Sequence, residues 1–219
     1  MKRFLFSLVA MLGVVLAVNL AEAKDRPKAK PKPGQLTTAD LSTCMGLNNA
    51  TPRDQVPACT KIINSGDVKH PHLGDYYATR GGAYFALKQF DKALADLDKA
   101  LSIRKAPEFY FQRALVRLAR NENEPAKADL AEVIKLKPEF SASYMMRGLI
   151  AYRAGEYAEA VTYFDSAVKR VPTYYQAIFA RGVSKKKSGD DSGGDADLKT
   201  ARGMRSGVDK DLEKLGVTP

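Results

Sequence analysis

Behind an apolar N-terminal stretch, the chain writes one pattern of large apolar, small and polar positions four times. Arg followed by a small residue stands at Arg80-Gly81, Arg113-Ala114, Arg147-Gly148 and Arg181-Gly182, at steps of 33, 34 and 34 residues. Thirteen residues after each Arg comes a small residue (Ala93, Ala126, Ala160, Gly194), and four further on a large apolar one (Leu97, Leu130, Phe164, Leu198). Three further again stand Ala100, Val133, Ala167 and Ala201. Between these marks apolar residues recur at helical spacing, and no stretch alternates apolar with polar as a half-buried strand does. Each unit therefore predicts two helices around a break. The third shows it best, with Ser141 to Ala154, then Gly155, then Tyr157 to Arg170. Small residues at fixed places let the two helices approach, and the large apolar residue fills the gap between them. One such pair cannot bury its apolar face alone, so neighbours must stack.

The flanks extend the pattern. Leu41 to Leu47 and Val56 to Ile63 predict a degenerate helical pair, with Cys44 on one helix and Cys59 on the other. Val208 to Leu215 predicts a final solvating helix stopped by Gly216. Pro125 falls at a helix start, a favoured place. The second half of the fourth unit departs from the pattern. Gly194 replaces the packing Ala inside SGDDSGGDAD, which reads as a loose acidic loop. The resulting division is 1–23, 24–38, 39–73, four units at 74–106, 107–140, 141–174 and 175–206, and a tail at 207–219.

The period, with RGGAYFALKQFDKALADLDKAL from Arg80 and RGLIAYRAGEYAEAVTYFDSAVKRVP from Arg147, resembles the tetratricopeptide repeat family over about Gly74 to Ser206. The resemblance implies an all-α, right-handed α-solenoid whose first helices line a concave, ligand-holding face. Carried over by register, that face holds Phe85 in the first unit and Phe111, Leu115 and Leu118 in the second. Met145, Leu149, Tyr152 and Arg153 follow in the third, and Phe179, Val183, Lys186 and Lys187 in the fourth. It is apolar and aromatic, turning basic at its end, which suits an amphipathic helix or an extended peptide with apolar anchors and some acidic residues. The alternative is that the chain's own Val208 to Leu215 helix fills the groove. Some family members grip a C-terminal carboxylate with Asn, Lys and Arg. The matching positions are Ala78, Gly82, Gln112, Ala142 and Met146, and none carries the needed side chain.

The repeated Arg invites a reading as an anion-binding ladder. Its spacing points to internal ion pairs instead. Asp96, Asp129 and Asp197 stand sixteen residues after Arg80, Arg113 and Arg181, one predicted pair within each unit. The third unit has Tyr163 at that place and Asp165 two residues on, which leaves Arg147 as the Arg expected to be free for another task.

Composition then narrows the function. Lys2 and Arg3, the apolar run Phe4 to Leu20, and Ala21-Glu22-Ala23 predict a secretory signal cleaved before Lys24, with an uncleaved anchor as the alternative. The expected location is a bacterial periplasm or the exterior. Residues 24–34, KDRPKAKPKPG, alternate Lys with Pro and predict a solvated tether, with at most weak contact to an anionic membrane surface. In an exported chain the two cysteines predict a structural disulfide; the alternative is a thiol-redox pair, for which there is no CxxC. The charge of +10 lies largely in the tether and in Lys185-Lys186-Lys187, and export argues against nucleic acid. His70 and His72 flank Pro71 without further spaced ligands for a metal, and Ser192-Gly193-Gly194 lacks a phosphate-binding context. The carboxylates fall on polar helix faces. No catalytic, cofactor or metal site is expected. The reading is a non-catalytic protein-interaction scaffold, against a membrane-held accessory protein or a redox protein.

Overall fold

Helix-forming stretches punctuated by turn residues build everything observed in the computed structural model, which describes residues 36–65 and 72–218. The signal segment, most of the tether, and His70 and Pro71 lie outside the described residues. Eleven helices and no strands occur among the described residues. They are α1 (Thr38–Cys44), α2 (Pro52–Ile63), α3 (Leu73–Ala86), α4 (Phe90–Ile103), α5 (Pro107–Ala119), α6 (Asn123–Leu136), α7 (Ser141–Arg153), α8 (Tyr157–Arg170), α9 (Tyr175–Lys187), α10 (Asp191–Met204) and α11 (Val208–Glu213). Pairs α3–α4, α5–α6, α7–α8 and α9–α10 are the four repeat units. Each pair packs within itself and its second helix packs on the next pair, giving a right-handed α-solenoid.

Local chemistry sets the helix ends. Thr51 and Asp54 form a capping box before α2, and Pro52 occupies its first turn, where a missing N–H costs nothing. Pro107 opens α5 in the same way. Pro125 sits in the first turn of α6, among N–H groups that have no helical partner anyway. The turn inside each unit repeats one device. Lys88, Asn121, Gly155 and Gly189 adopt φ of 59°, 61°, 79° and 97°. The next N–H reaches five residues back in each unit: Gln89 to Tyr84, Glu122 to Arg117, Glu156 to Ala151 and Asp190 to Lys185. This left-handed cap satisfies carbonyls that the helix end would otherwise expose. Lys88 carries it without the freedom that glycine brings.

The core follows the sequence register. Ala93, Ala126, Ala160, Ala100, Val133, Ala167 and Ala201 are all fully buried, as are Leu97, Leu130 and Phe164. Sizes compensate across each helix pair. A Cβ on Gly148 would stand 2.5 Å from the Phe164 ring, whereas the second unit combines Ala114 with the smaller Leu130.

The fourth unit corrects the sequence reading. Asp191–Met204 is helical, and Ser192, Gly193 and Gly194 lie inside it rather than in a loose loop. Asp190 caps it by accepting from the Gly193 N–H at 2.9 Å. Gly194 is a packing residue: a Cβ there would stand 2.3 Å from Lys186 Cγ and 2.7 Å from the Gly182 carbonyl oxygen. The two backbones meet more closely than Ala allows. The carboxylates need correcting as well. Asp96, Asp129 and Asp197 are buried, at 7%, 2% and 8% exposure, and not on solvated faces.

At the N-terminal end, Cys44 and Cys59 form a disulfide across α1 and α2, with Cα atoms 4.8 Å apart and both side chains fully buried. Lys61 and Asp40 add an ion pair at 2.7 Å between the same helices.

Gly194→Ala is expected to destabilise by about 1–3 kcal/mol through overpacking, although Ala favours a helix by ~1 kcal/mol. Gly82→Ala, with no atom within 4 Å of the added Cβ, should stabilise by about 0.5–1 kcal/mol. Thermal melts of the two variants should shift in opposite directions; a common direction would refute the packing account. Reduction of the disulfide, which spans 15 residues, should cost about 3 kcal/mol. Hydrogen exchange should place that loss in α1 and α2, with α7 to α10 unchanged.

Candidate functional site

The repeated Arg sits at the same point on each first helix, and its guanidinium divides its nitrogens between two neighbours. Arg80 Nε and Nη2 donate to the Asp96 carboxylate at 2.7 and 2.8 Å, while Nη1 donates to Thr60 Oγ1 at 2.9 Å. Arg113 Nε and Nη2 reach Asp129 at 3.0 and 2.6 Å, and Nη1 reaches Asp98 at 2.6 Å. Arg181 Nε and Nη2 reach Asp197 at 2.8 and 2.7 Å, and Nη1 reaches Asp165 at 2.9 Å. Each guanidinium thus joins the second helix of its own unit to the second helix of the preceding pair. The spacing of sixteen residues after the Arg covers the first of these bonds; the second reaches back 20, 15 and 16 residues, to Thr60, Asp98 and Asp165, with no fixed spacing or residue type to read.

Arg147 is not free. Its Nη2 bonds to the Tyr163 hydroxyl, its Cζ lies 4.8 Å from that ring's centre, and Nη1 donates to the Lys127 carbonyl at 3.2 Å. The aromatic replaces the missing Asp, and the Arg keeps the same bridging duty. Asp165, passed over by Arg147, serves Arg181 of the next unit. The hydrogen bond from Lys169, with help from Arg181, holds the Asp165 carboxyl below the usual carboxylate range against the opposing effect of burial. For Arg80 the hydrogen bond it donates to Asp96 raises an already high pKa, again against burial. These groups stay charged at neutral pH and are consumed internally.

The opposite face of the first helices carries the apolar groove. Phe111 and Leu115 lie two residues either side of Arg113, roughly 200° round a helix. Leu115 and Leu118 of α5 face Met146, Leu149, Ile150 and Arg153 of α7 across an open cleft of about 300 Å³, with Leu215 as a further wall. Phe111 is half-buried and meets Phe140 edge-on at 4.9 Å. Ile150 was missed by register and Met146 stood only among the carboxylate-grip positions, although 146, 150 and 153 form a stripe at helical spacing. Phe85 is half-buried against Phe90 at 6.0 Å.

Toward the fourth unit the groove is occupied. Met145, Leu149, Tyr152, Phe179 and Val183 are 7% exposed or less, in one cluster with Val208, Leu212 and Val217 of the C-terminal segment. Apart from Leu149, which also borders the cleft, they are therefore not an open surface, and the chain's own tail packs into the same cluster. The basic end also differs from the sequence reading. Lys186 turns toward α10 and pairs with Asp195 at 2.6 Å, while Lys187 is exposed.

Among the described residues no cluster of His, Cys, Asp and Glu suits a metal ion, and no helix is long and apolar enough to cross a membrane. His72 is exposed with Nδ1 3.2 Å from Asp75 Oδ2. Both cysteine sulfurs are bonded and buried, which withholds them from exchange with an external thiol.

Asp129 accepts from Arg113 and, at 2.7 Å, from Arg117. Asp129→Asn should cost about 3 kcal/mol, since two guanidinium groups lose a buried partner. Asp98→Asn, at a site 58% exposed, should cost about 1 kcal/mol or less. Equal shifts in urea denaturation would remove burial from the explanation.

A tetratricopeptide repeat model matches residues 111–175, and a second matches 74–107. Over 112 residues the chain is 33% identical to DnaJ homolog subfamily C member 3 of Rattus norvegicus, a stretch that is 51% of this chain and 21% of that protein. Over 101 residues it is 29% identical to the STIP1 homolog of Dictyostelium discoideum, covering 46% and 18%. The chain spans about a fifth of the length of these curated relatives. The crystal structure of MamA protein superposes with a TM-score of 0.66 at 17% identity, covering 81% of this chain and 96% of that one. That of YrrB, described as a TPR protein with an unusual peptide-binding site, superposes at 0.62 and 15% identity, covering 89% and 97%. With the 33- to 34-residue period, the paired helices and these matches, residues 74–107 and 111–175 are repeats of the tetratricopeptide repeat family.

Proposed function

We propose that this chain is an exported, non-catalytic protein-interaction scaffold whose concave groove holds an apolar segment of a partner protein. The observation that carries the reading is the cleft between α5 and α7. It is walled by Leu115, Leu118, Met146 and Leu149, with Arg153 at its edge, and about 300 Å³ of it stands open. Apolar surface left open in a groove between packed helices is characteristic of an interaction site. The repeated Arg residues support the reading from the other side, because their charge is spent on holding helices together. The description of YrrB as a peptide-binding repeat protein supports it by analogy of fold.

Export is supported by the signal pattern in residues 1–23 and by the buried Cys44–Cys59 bond, since such bonds persist in oxidising compartments. A periplasmic or secreted location follows from that proposal. The thiol-redox alternative loses ground because both sulfurs are inaccessible.

Affinity capture from an envelope or periplasmic extract, using the chain from Lys24 onward, tests the reading. Phe111→Ala combined with Leu118→Asp should abolish or reduce capture at least tenfold without changing helical circular dichroism. Identical captured sets from both baits would show that the groove is not the binding surface.

A further inference from the structure

The last residues of the chain do not continue the stack. After α10 the chain turns at Ser206 and Gly207, and α11 packs chiefly on α9, the first helix of its unit. Residues 214–218 then run on toward the third unit. The Tyr152 hydroxyl donates to the Thr218 carbonyl at 3.3 Å, and Arg153 Nη2 donates to the Leu215 carbonyl at 3.0 Å. The segment has thus left the line of the repeats and lies along their concave face.

Its contacts have the form of a bound peptide. Val208, Leu212 and Val217 are fully buried anchors, four and five residues apart, set among Tyr152, Phe179 and Val183. The side chains of the groove reach backbone carbonyls of the segment, which reads its course and direction more than its sequence. Its acidic residues meet basic ones: Arg202 donates to Asp209 at 2.6 Å and Arg205 to Asp211 at 3.0 Å. The hold is light. α11 has six residues, too few to be stable alone. Both ion pairs are between a third and about half exposed, where such pairs contribute little. Leu215 also walls the open cleft on Leu118 and Met146, so the occupied and open parts form one groove.

We propose that residues 207–218 are a displaceable intramolecular ligand of the concave groove, and that the partner which displaces them is an acidic amphipathic segment with apolar anchors at the same four- and five-residue spacing. The proposal rests on the scaffold reading and adds to it the chemistry of the ligand and a built-in competitor. Occupancy by the chain's own segment lowers the apparent affinity for any partner by the fraction of molecules in which the groove is open.

A fluorescent synthetic peptide of residues 207–219 is the probe, and anisotropy is measured on the full chain and on the full chain carrying Leu212→Asp and Val217→Asp. The variant should bind the probe at least tenfold more tightly than the unaltered chain, and unlabelled peptide should compete. A variant that keeps its helical circular dichroism but gains no affinity overturns the proposal, leaving the segment a permanent cap. If the variant loses its fold, hydrogen exchange on the unaltered chain decides. Amides of residues 208–217 exchanging at least tenfold faster than those of α9 support displacement, and exchange only together with α9 overturns it. Groove-dependent capture without probe binding would sink this proposal alone. Probe binding without any captured partner would sink only the scaffold reading.

Discussion

One guanidinium per unit, shared between two second helices, is the contact on which the stack depends. A solenoid has no long-range core to hold its ends in register, because each unit touches only its neighbours. Apolar packing between smooth helix faces tolerates sliding. A bidentate Arg–Asp contact does not, since two parallel bonds fix both distance and direction. Arg80, Arg113 and Arg181 make that contact inside their own units, then use the remaining nitrogen to reach the pair before. Arg147 does the same with an aromatic hydroxyl and a backbone carbonyl. Burial makes the pairs costly to form, so their value lies in specifying one arrangement more than in net stability.

Close approach is the second constraint, and it is met by subtraction. Gly148 makes room for Phe164, and Gly182 and Gly194 make room for each other's backbones. Where the helices come nearest, the side chains are smallest, and where a helix turns back, a left-handed residue closes it. These two devices let Gly or Ala occupy the close-packed place and Lys, Asn or Gly the turn, which explains how a period can persist through a divergent sequence.

Placing the ion pairs on one face of the first helices leaves the other face apolar. That face is the concave groove, and it is used in two ways within the same molecule. Over the second and third units it is an open cleft, and over the third and fourth it is covered by the chain's own last residues. The tail is held by apolar anchors, carbonyl acceptors and exposed charge, the same kinds of contact that an outside segment would make.

The period, the helical class and the pairing of helices were legible in the amino-acid sequence, because each rests on local spacing: small and large residues recur where one turn faces another. The Arg and Asp of one unit were legible for the same reason, being sixteen residues apart on adjoining helices. What only the tertiary structure decided is long-range. SGDDSGGDAD reads as a loop by composition, yet from Asp191 on it is a helix, because two glycines meeting across a helix pair gain more from contact than they lose in propensity. Arg147 lacks its Asp but is engaged, since a ring and a carbonyl from two different helices converge on it. The groove's lining was legible as a stripe, but which part of it stays open was not. That depends on where residues 208–218 come to rest, and no local pattern records the path of a chain that folds back across its own repeats.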